Sequence, residues 1–282
     1  MRIVLGLEYD GAYFCGWQSQ PCGCSIQDAL EVALSKIAHS SIKVITAGRT
    51  DAGVHATYQV VHFDTQVQRP PSAWIRGVNA LLPSRMAVLW VSKLSDSFHA
   101  RYSAKERCYL YLLLNHPVRA ALYHGKVGWF HRPLNIERMR EATKFLLGEH
   151  DFSAFRASEC QAKSPVRIVT KLEIIQQGDI ISFEIRANGF LQHMVRNIIG
   201  SLVYVGKGKY SPQWIGKILK GRDRAHAAPT FSAAGLYLSG ITYDSEWKLP
   251  GFIEPPITAV LPRVSRANKN LLLNQTDSGD DF

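Results

Sequence analysis

The order strand, helix, strands, helix, strand occurs twice along this chain, and that repetition restricts the fold more than any other feature. In the first copy, Arg2 to Tyr9 alternates apolar and polar residues, the period of a half-buried strand. Ser25 then stands ready to cap a helix, with Asp28 in capping-box position. Ile26, Ala29, Leu30, Ala33, Leu34 and Ile37 fall on one face of that helix. Lys43 to Ala47, Tyr58 to Phe63 and Met86 to Leu94 are short and rich in β-branched and aromatic residues, which predicts strands. Pro70-Pro71 breaks the chain ahead of a short helix over Ala73 to Leu81. The second copy opens with a strand at Cys108 to Asn115. Asn135 caps a helix whose Ile136, Met139, Ala142 and Leu146 share a face and which Gly148 stops. Arg167 to Gln176 and Ile180 to Ala187 read as a hairpin turning at Gly178-Asp179. Leu191 to Val205 is the clearest helix, and Gly235 to Tyr243 a last strand.

Such an order predicts an α+β fold: two units whose antiparallel sheets carry helices on one face, with the cleft between them as the natural site. The units are 1–104 and 105–249. Residues 250–282, rich in Pro, Asn and Asp, read as an extended segment ending in a disordered tail. A chain of 282 residues that is 46% hydrophobic can fill such a core. Its start lacks the basic, apolar and cleavage regions of a signal peptide, and no apolar run reaches membrane-spanning length, so a cytoplasmic protein with no membrane partner is expected. The net charge of +10 favours encounter with polyanions. Five cysteines make no disulfide scaffold. Cys15, Cys22 and Cys24 cluster, but paired knuckles are missing and the nearest histidine, His39, falls in a helix. Free thiols and no metal site are therefore expected.

Three stretches hold polar residues in patterns that suit chemistry. Gly48-Arg49-Thr50-Asp51-Ala52-Gly53-Val54-His55-Ala56 joins two strands; it reads either as a catalytic loop carrying Arg49 and Asp51 or as a tight turn in which Thr50 and Asp51 bond the backbone. Between Ser97 and Tyr109, basic side chains interleave with Phe98, Tyr102 and Tyr109. That suits phosphates and unstacked bases, and equally a loop running into a strand. In Phe190 to Asn197, Arg196 lies at the edge of the helix's apolar arc, where a half-buried cation needs a carboxylate that the sequence does not identify. His193 reads as a hydrogen-bonded structural residue and Met194 as core.

Together these stretches resemble the TruA family of tRNA pseudouridine synthases. Tyr9-Asp10-Gly11 with Gly16-Trp17-Gln18, Asp151 to Arg156, Ala228 to Phe231 and Gly235 to Leu238 extend the likeness from Ile3 to about Tyr243. The resemblance implies a uridine-to-pseudouridine isomerase acting on the anticodon stem-loop, without cofactor or metal. It implies two ferredoxin-like halves forming one extended antiparallel sheet, and a homodimer with tRNA lying across both subunits. By resemblance Asp51 is the nucleophile, kept ionised by Arg196. Tyr109, rather than Tyr111, stacks on the target base and helps remove the C5 proton. Arg49 enters the stem as the uridine leaves. Phe98, His99, Ala100, Arg101 and Tyr102, with Cys160, Gln161, Ala162 and Lys163, touch RNA. Two other readings are an RNA-binding module without activity and an RNA hydrolase. A hydrolase needs a second carboxylate, a metal or a Ser-His pair beside Asp51, for which only His55 and Asp64 are near in sequence.

Overall fold

A computed structural model describes residues 1–250; the tail expected beyond them lies outside the described residues. The first half contributes β1 (Arg2–Tyr9), α1 (Ile26–Ala38), β2 (Ile45–Thr46), β3 (His55–Asp64) and β4 (Met86–Leu94). The second contributes β5 (Glu106–Asn115), β6 (Gly128–Phe130), α2 (Ile136–Thr143), β7 (Gly148–Asp151), β8 (Val166–Gln177), β9 (Ile180–Ala187), α3 (Met194–Gly206), α4 (Gln213–Gly221) and β10 (Leu236–Thr242). Local chemistry accounts for most boundaries. At the start of α1 the Ser25 hydroxyl accepts from the Asp28 N–H at 3.0 Å while the Asp28 carboxylate accepts from the Ser25 N–H at 3.3 Å, a closed capping box. α3 begins at Met194 rather than Leu191, because His193 sits in the left-handed region at φ 62° and turns the chain into the helix. α2 ends at Thr143, tightens into a 3₁₀ turn, and Gly148 opens β7 instead of merely stopping a helix.

All ten strands join one sheet, ordered β4-β1-β3-β10-β5-β9-β8-β7, with β2 on β3 and β6 on β5. The extended sheet that the resemblance implies is present, but two of its seams are parallel. β5 pairs β6 in parallel, and the halves meet where β10 runs parallel to β3, Tyr237 opposite His55 and Leu238 opposite Ala56. Parallel pairing starts both strands at the same end of the sheet. The loop feeding β3, which carries Asp51, therefore lies beside the loop feeding β10. Alternation along β9 buries Ile181, Phe183, Ile185 and Ala187 on one face, where α2 and α3 also bury their apolar residues. On β5, Tyr109, Tyr111 and Leu113 join this core, while Leu112 and Leu114 meet Val127 and Tyr237 in a small cluster on the other face. Among the described residues no helix is long and apolar enough to cross a membrane.

The cysteines correct one expectation. Cys15, Cys108 and Cys160 are free, but Cys22 and Cys24 are bonded to each other. A parity count misses a link this local: Gly23 at φ 65° turns the chain so tightly that the two Cα atoms lie 5.3 Å apart.

Candidate active site

The turn carrying Asp51 is gripped from below. Trp17 N–H donates to Thr50 O at 2.9 Å, and the Tyr9 hydroxyl meets Thr50 Oγ1 at 2.8 Å. Gln59 Nε2 donates to Gly48 O at 2.7 Å, and the Val54 N–H closes the turn on Asp51 O at 3.1 Å. Gly16, at φ 91°, approaches so closely that a Cβ there would lie 3.0 Å from Ala52 N and 3.1 Å from Thr50 O. Thr50 thus serves the turn. The Asp51 carboxylate does not: among the described residues it accepts no backbone hydrogen bond. Its Oδ2 instead accepts from Arg196 Nη1 at 2.9 Å, with His193 Nε2 at 3.4 Å from the same oxygen. Asp51 is therefore the carboxylate that Arg196 needed, brought from the other half of the sheet.

Arg196 is held at a second point, its Nε donating to Phe231 O at 2.9 Å, so the guanidinium plane is set before any ligand arrives. Its side chain is 17% exposed and that of Asp51 28%, so the pair is partly open to solvent rather than sealed in the core. Asn197, the next residue, is fully buried. It donates to Phe155 O at 2.7 Å and accepts from Thr230 Oγ1 at 2.7 Å and Arg224 Nη2 at 3.1 Å. That residue ties the Asp151 to Arg156 and Ala228 to Phe231 stretches to the start of α3. Tyr109 reaches the same region from β5, edge-on to Phe190 at 5.0 Å. Burial first, then the nearby Tyr9 and Asp51, pushes its hydroxyl well above the ordinary tyrosine value. Arg49 is exposed beside Asp51 and has no ion-pair partner among the described residues.

Two participants were missed in the sequence. His193 stands in the site rather than serving structure alone, because the left-handed turn at the start of α3 aims its ring at Asp51. Arg107 donates to four carbonyls: Ala47 O at 3.1 Å, Arg101 O at 2.6 Å, Ala104 O at 3.1 Å and Asn188 O at 3.0 Å. It ties Ala47, Arg101 and Ala104 of the first half to Asn188 of the second. Burial lowers its pKa, and no sequence signal announces carbonyl ligation of this kind.

The stretches expected to touch RNA divide by exposure. Phe98 and Ala100 are fully buried, and Phe98 packs 5.2 Å from both Tyr243 and Trp247; their side chains face the core, contrary to the expectation for this stretch. Arg101 is exposed and Tyr102 is 76% exposed, while half-buried His99 accepts from the Arg101 and Tyr102 N–H groups at 3.2 Å each. In the second stretch Cys160 is buried and Ala162 half-buried, leaving Gln161 and Lys163 outermost. Arg156 shapes that loop through Ala162 O at 3.1 Å and through Cys160 O.

The residues a hydrolase would need are committed elsewhere. His55 accepts from the Gly11 N–H at 3.1 Å through Nδ1 and faces Gly125 O at 2.9 Å and Ala234 O at 3.2 Å through Nε2. Its ring stacks on Tyr237, and burial depresses its pKa. This pattern assigns the neutral ring its proton at Nε2, so the 3.1 Å contact to Asp10 is no ion pair; Asp10 is neutralised by Lys126 at 2.6 Å and Arg85 at 2.7 Å. Asp64 pairs with Arg2 at 2.7 Å at the far end of β3.

Comparison with known proteins gives the family of the chain. A family described as tRNA pseudouridine synthase matches residues 7–103 and 142–244. A tRNA pseudouridine synthase A of Nitrosomonas eutropha is 58% identical over 252 residues, 89% of this chain and 91% of that protein. One from Nitrosomonas europaea is 58% identical, covering 89% and 93%, and one from Methylobacillus flagellatus 55%, covering 89% and 96%.

Proposed function

This chain belongs to the tRNA pseudouridine synthase family and isomerises uridine to pseudouridine in tRNA, and we propose that Asp51 is the nucleophile of that isomerisation. The observation that carries the assignment is the Arg196–Asp51 contact at 2.9 Å. It occupies one carboxylate oxygen and leaves the other without a partner among the described residues. A carboxylate so placed can add to C1′ or to C6 of the nucleotide and be released again. The C1′–N1 bond breaks, the base turns, C1′ joins C5, C5 loses its proton and N1 gains one, so the atoms balance without cofactor. Arg196 neutralises the carboxylate and sets its direction. Tyr109 stacks on the base, and its hydroxyl, kept neutral by burial, takes the C5 proton as it passes its own proton on to solvent.

Arg49, exposed beside Asp51 and without an ion-pair partner among the described residues, fills the space the uridine leaves. Flipping costs a few kcal/mol, which such a filler offsets. His99, Arg101, Tyr102, Gln161 and Lys163 carry the RNA contact, with Phe98, Ala100, Cys160 and Ala162 shaping the backbone beneath them. The residues 1–104 and 105–249 act as the two walls of the cleft. The likeness to the family further supports an anticodon stem-loop target, a homodimer bridged by tRNA, and work in the cytoplasm. The test is to incubate purified protein with a tRNA transcript and map pseudouridine by position. Conversion confined to the anticodon stem-loop is expected. Binding without conversion would favour an inactive RNA-binding module, and conversion elsewhere would refute the target.

A further inference from the structure

The loop between β1 and α1 holds three sulfurs that the isomerisation does not use. The Sγ atoms of Cys15, Cys22 and Cys24 all lie within 4.8 Å of one another. Their convergence is built by the backbone. Cys15 N–H donates to Cys24 O at 3.1 Å, Gly23 N–H to Gln20 O at 2.9 Å, and Ile26 N–H to Gly16 O at 3.1 Å, while Gln20 Nε2 donates to Cys15 O at 2.9 Å. Both ends of the loop are thus tied together across its neck. Cys15 and Cys22 are exposed and Cys24 half-exposed, so an ion can enter from solvent. The nearby carboxylate of Asp28 is occupied by Ser19 and Ser25 and competes for nothing here.

We propose that Cys15, Cys22 and Cys24, once the Cys22–Cys24 bond is reduced, form a three-thiolate site for a thiophilic d10 cation, Zn(II) or Cu(I). Thiolates select such ions. Metal–sulfur bonds of about 2.3 Å set sulfurs roughly 4 Å apart; Cys15 Sγ already lies within 4.8 Å of the other two, and reduction frees Cys22 and Cys24, now bonded to each other, to spread to the same spacing. Cu(I) accepts three thiolates as they stand; Zn(II) completes its shell with water at the exposed side. Neither a second knuckle nor a histidine is needed, because the fold brings a third sulfur, that of Cys15, to the Cys22–Cys24 pair. Disulfide and metal exclude each other, since the same two sulfurs serve both. The site also backs the catalytic turn, because Gly16 and Trp17, directly after Cys15, grip Thr50 and Ala52. An occupied site therefore stiffens the loop on which the Asp51 turn rests.

The test takes the full chain, reduces it anaerobically with a phosphine and removes the reductant. In that step the phosphine takes the oxygen of water and each sulfur a hydrogen, giving two thiols and the phosphine oxide. The protein is then titrated with Zn(II) or Cu(I) against a chromophoric chelator, with Co(II) as a spectroscopic probe of thiolate ligation. One equivalent per chain is expected for at least one of the two cations, with a rise in Tm. Both should be lost in Cys15→Ser and in Cys24→Ser but kept in Cys108→Ser. Far-UV circular dichroism confirms that each variant folds. No stoichiometric uptake of either ion, uptake unchanged in Cys15→Ser, or a Cys22–Cys24 bond that survives excess phosphine would overturn the proposal.

Discussion

Arg196→Met removes the guanidinium that joins Asp51 Oδ2 at 2.9 Å to Phe231 O at 2.9 Å, while keeping much of the side chain's length and apolar bulk. The gross attraction across such a contact is about 6 kcal/mol at an effective dielectric near 20. Desolvation takes back most of it, and both side chains keep some exposure, 17% and 28%. The net loss should resemble that of hydrogen bonds to charged groups, about 1.5–3 kcal/mol. In a domain of this size that lowers Tm by roughly 3–10 °C. The effect on rate should be larger in kind. Without Arg196 the carboxylate is free to rotate, and misplacing a reacting group by about 1 Å costs on the order of a hundredfold. Single-turnover pseudouridine formation should therefore fall at least about a hundredfold, while tRNA affinity changes little, because the guanidinium is already engaged by Asp51 and the Phe231 carbonyl. Arg196→Lys keeps the charge but cannot make both bonds at once, and should fall between Met and the native residue. An Arg196→Met enzyme whose rate stays within about threefold of native, folded and tRNA-bound, would refute the claim that this pair orients the nucleophile.

Gly16→Ala should cost about 1–2 kcal/mol of stability from the left-handed backbone alone and slow turnover by pressing on Thr50 and Ala52; unchanged melting and rate would show that the close approach is slack. His62 is buried, accepts from the Ala100 N–H at 3.1 Å, and has a pKa lowered to about 4, chiefly by burial and then by Arg2. A depressed histidine pKa means the fold prefers the neutral ring, so stability is full above about pH 6.5 and falls by on the order of 2–3 kcal/mol as pH drops toward 4. Tm measured against pH should lose that slope in His62→Asn. Because the Tyr109 hydroxyl is raised well above its ordinary value near 10, turnover should show no tyrosine-linked rise between about pH 7 and 9; such a rise, absent in Tyr109→Phe, would contradict its neutral role.

What could be read in advance was local. The Ser25–Asp28 box and the apolar arc of α3 lie within a few residues of themselves and stand where their spacing put them. Arg196 announced that it needed an acid, but the partner lies 145 residues earlier; the parallel seam of β3 with β10 sets the Asp51 loop beside the loop carrying Phe231, to which Arg196 of α3 is bonded. Phe98 illustrates the opposite failure. Basic and aromatic neighbours suggest a base-stacking surface, yet whether an aromatic faces water or core is decided by distant partners, here Tyr243 and Trp247. The four carbonyls on Arg107 and the left-handed His193 are likewise products of closure rather than of pattern.

The central claim is that Asp51 acts as a nucleophile and not as a turn residue. Asp51→Asn keeps the side chain's size and turn-forming ability but removes its charge and nucleophilicity. The measurement is pseudouridine formed in a purified tRNA transcript under single-turnover conditions, with tRNA binding and melting followed on the same protein. The account predicts a folded, tRNA-binding protein that makes no pseudouridine. Near-native turnover by Asp51→Asn would contradict it.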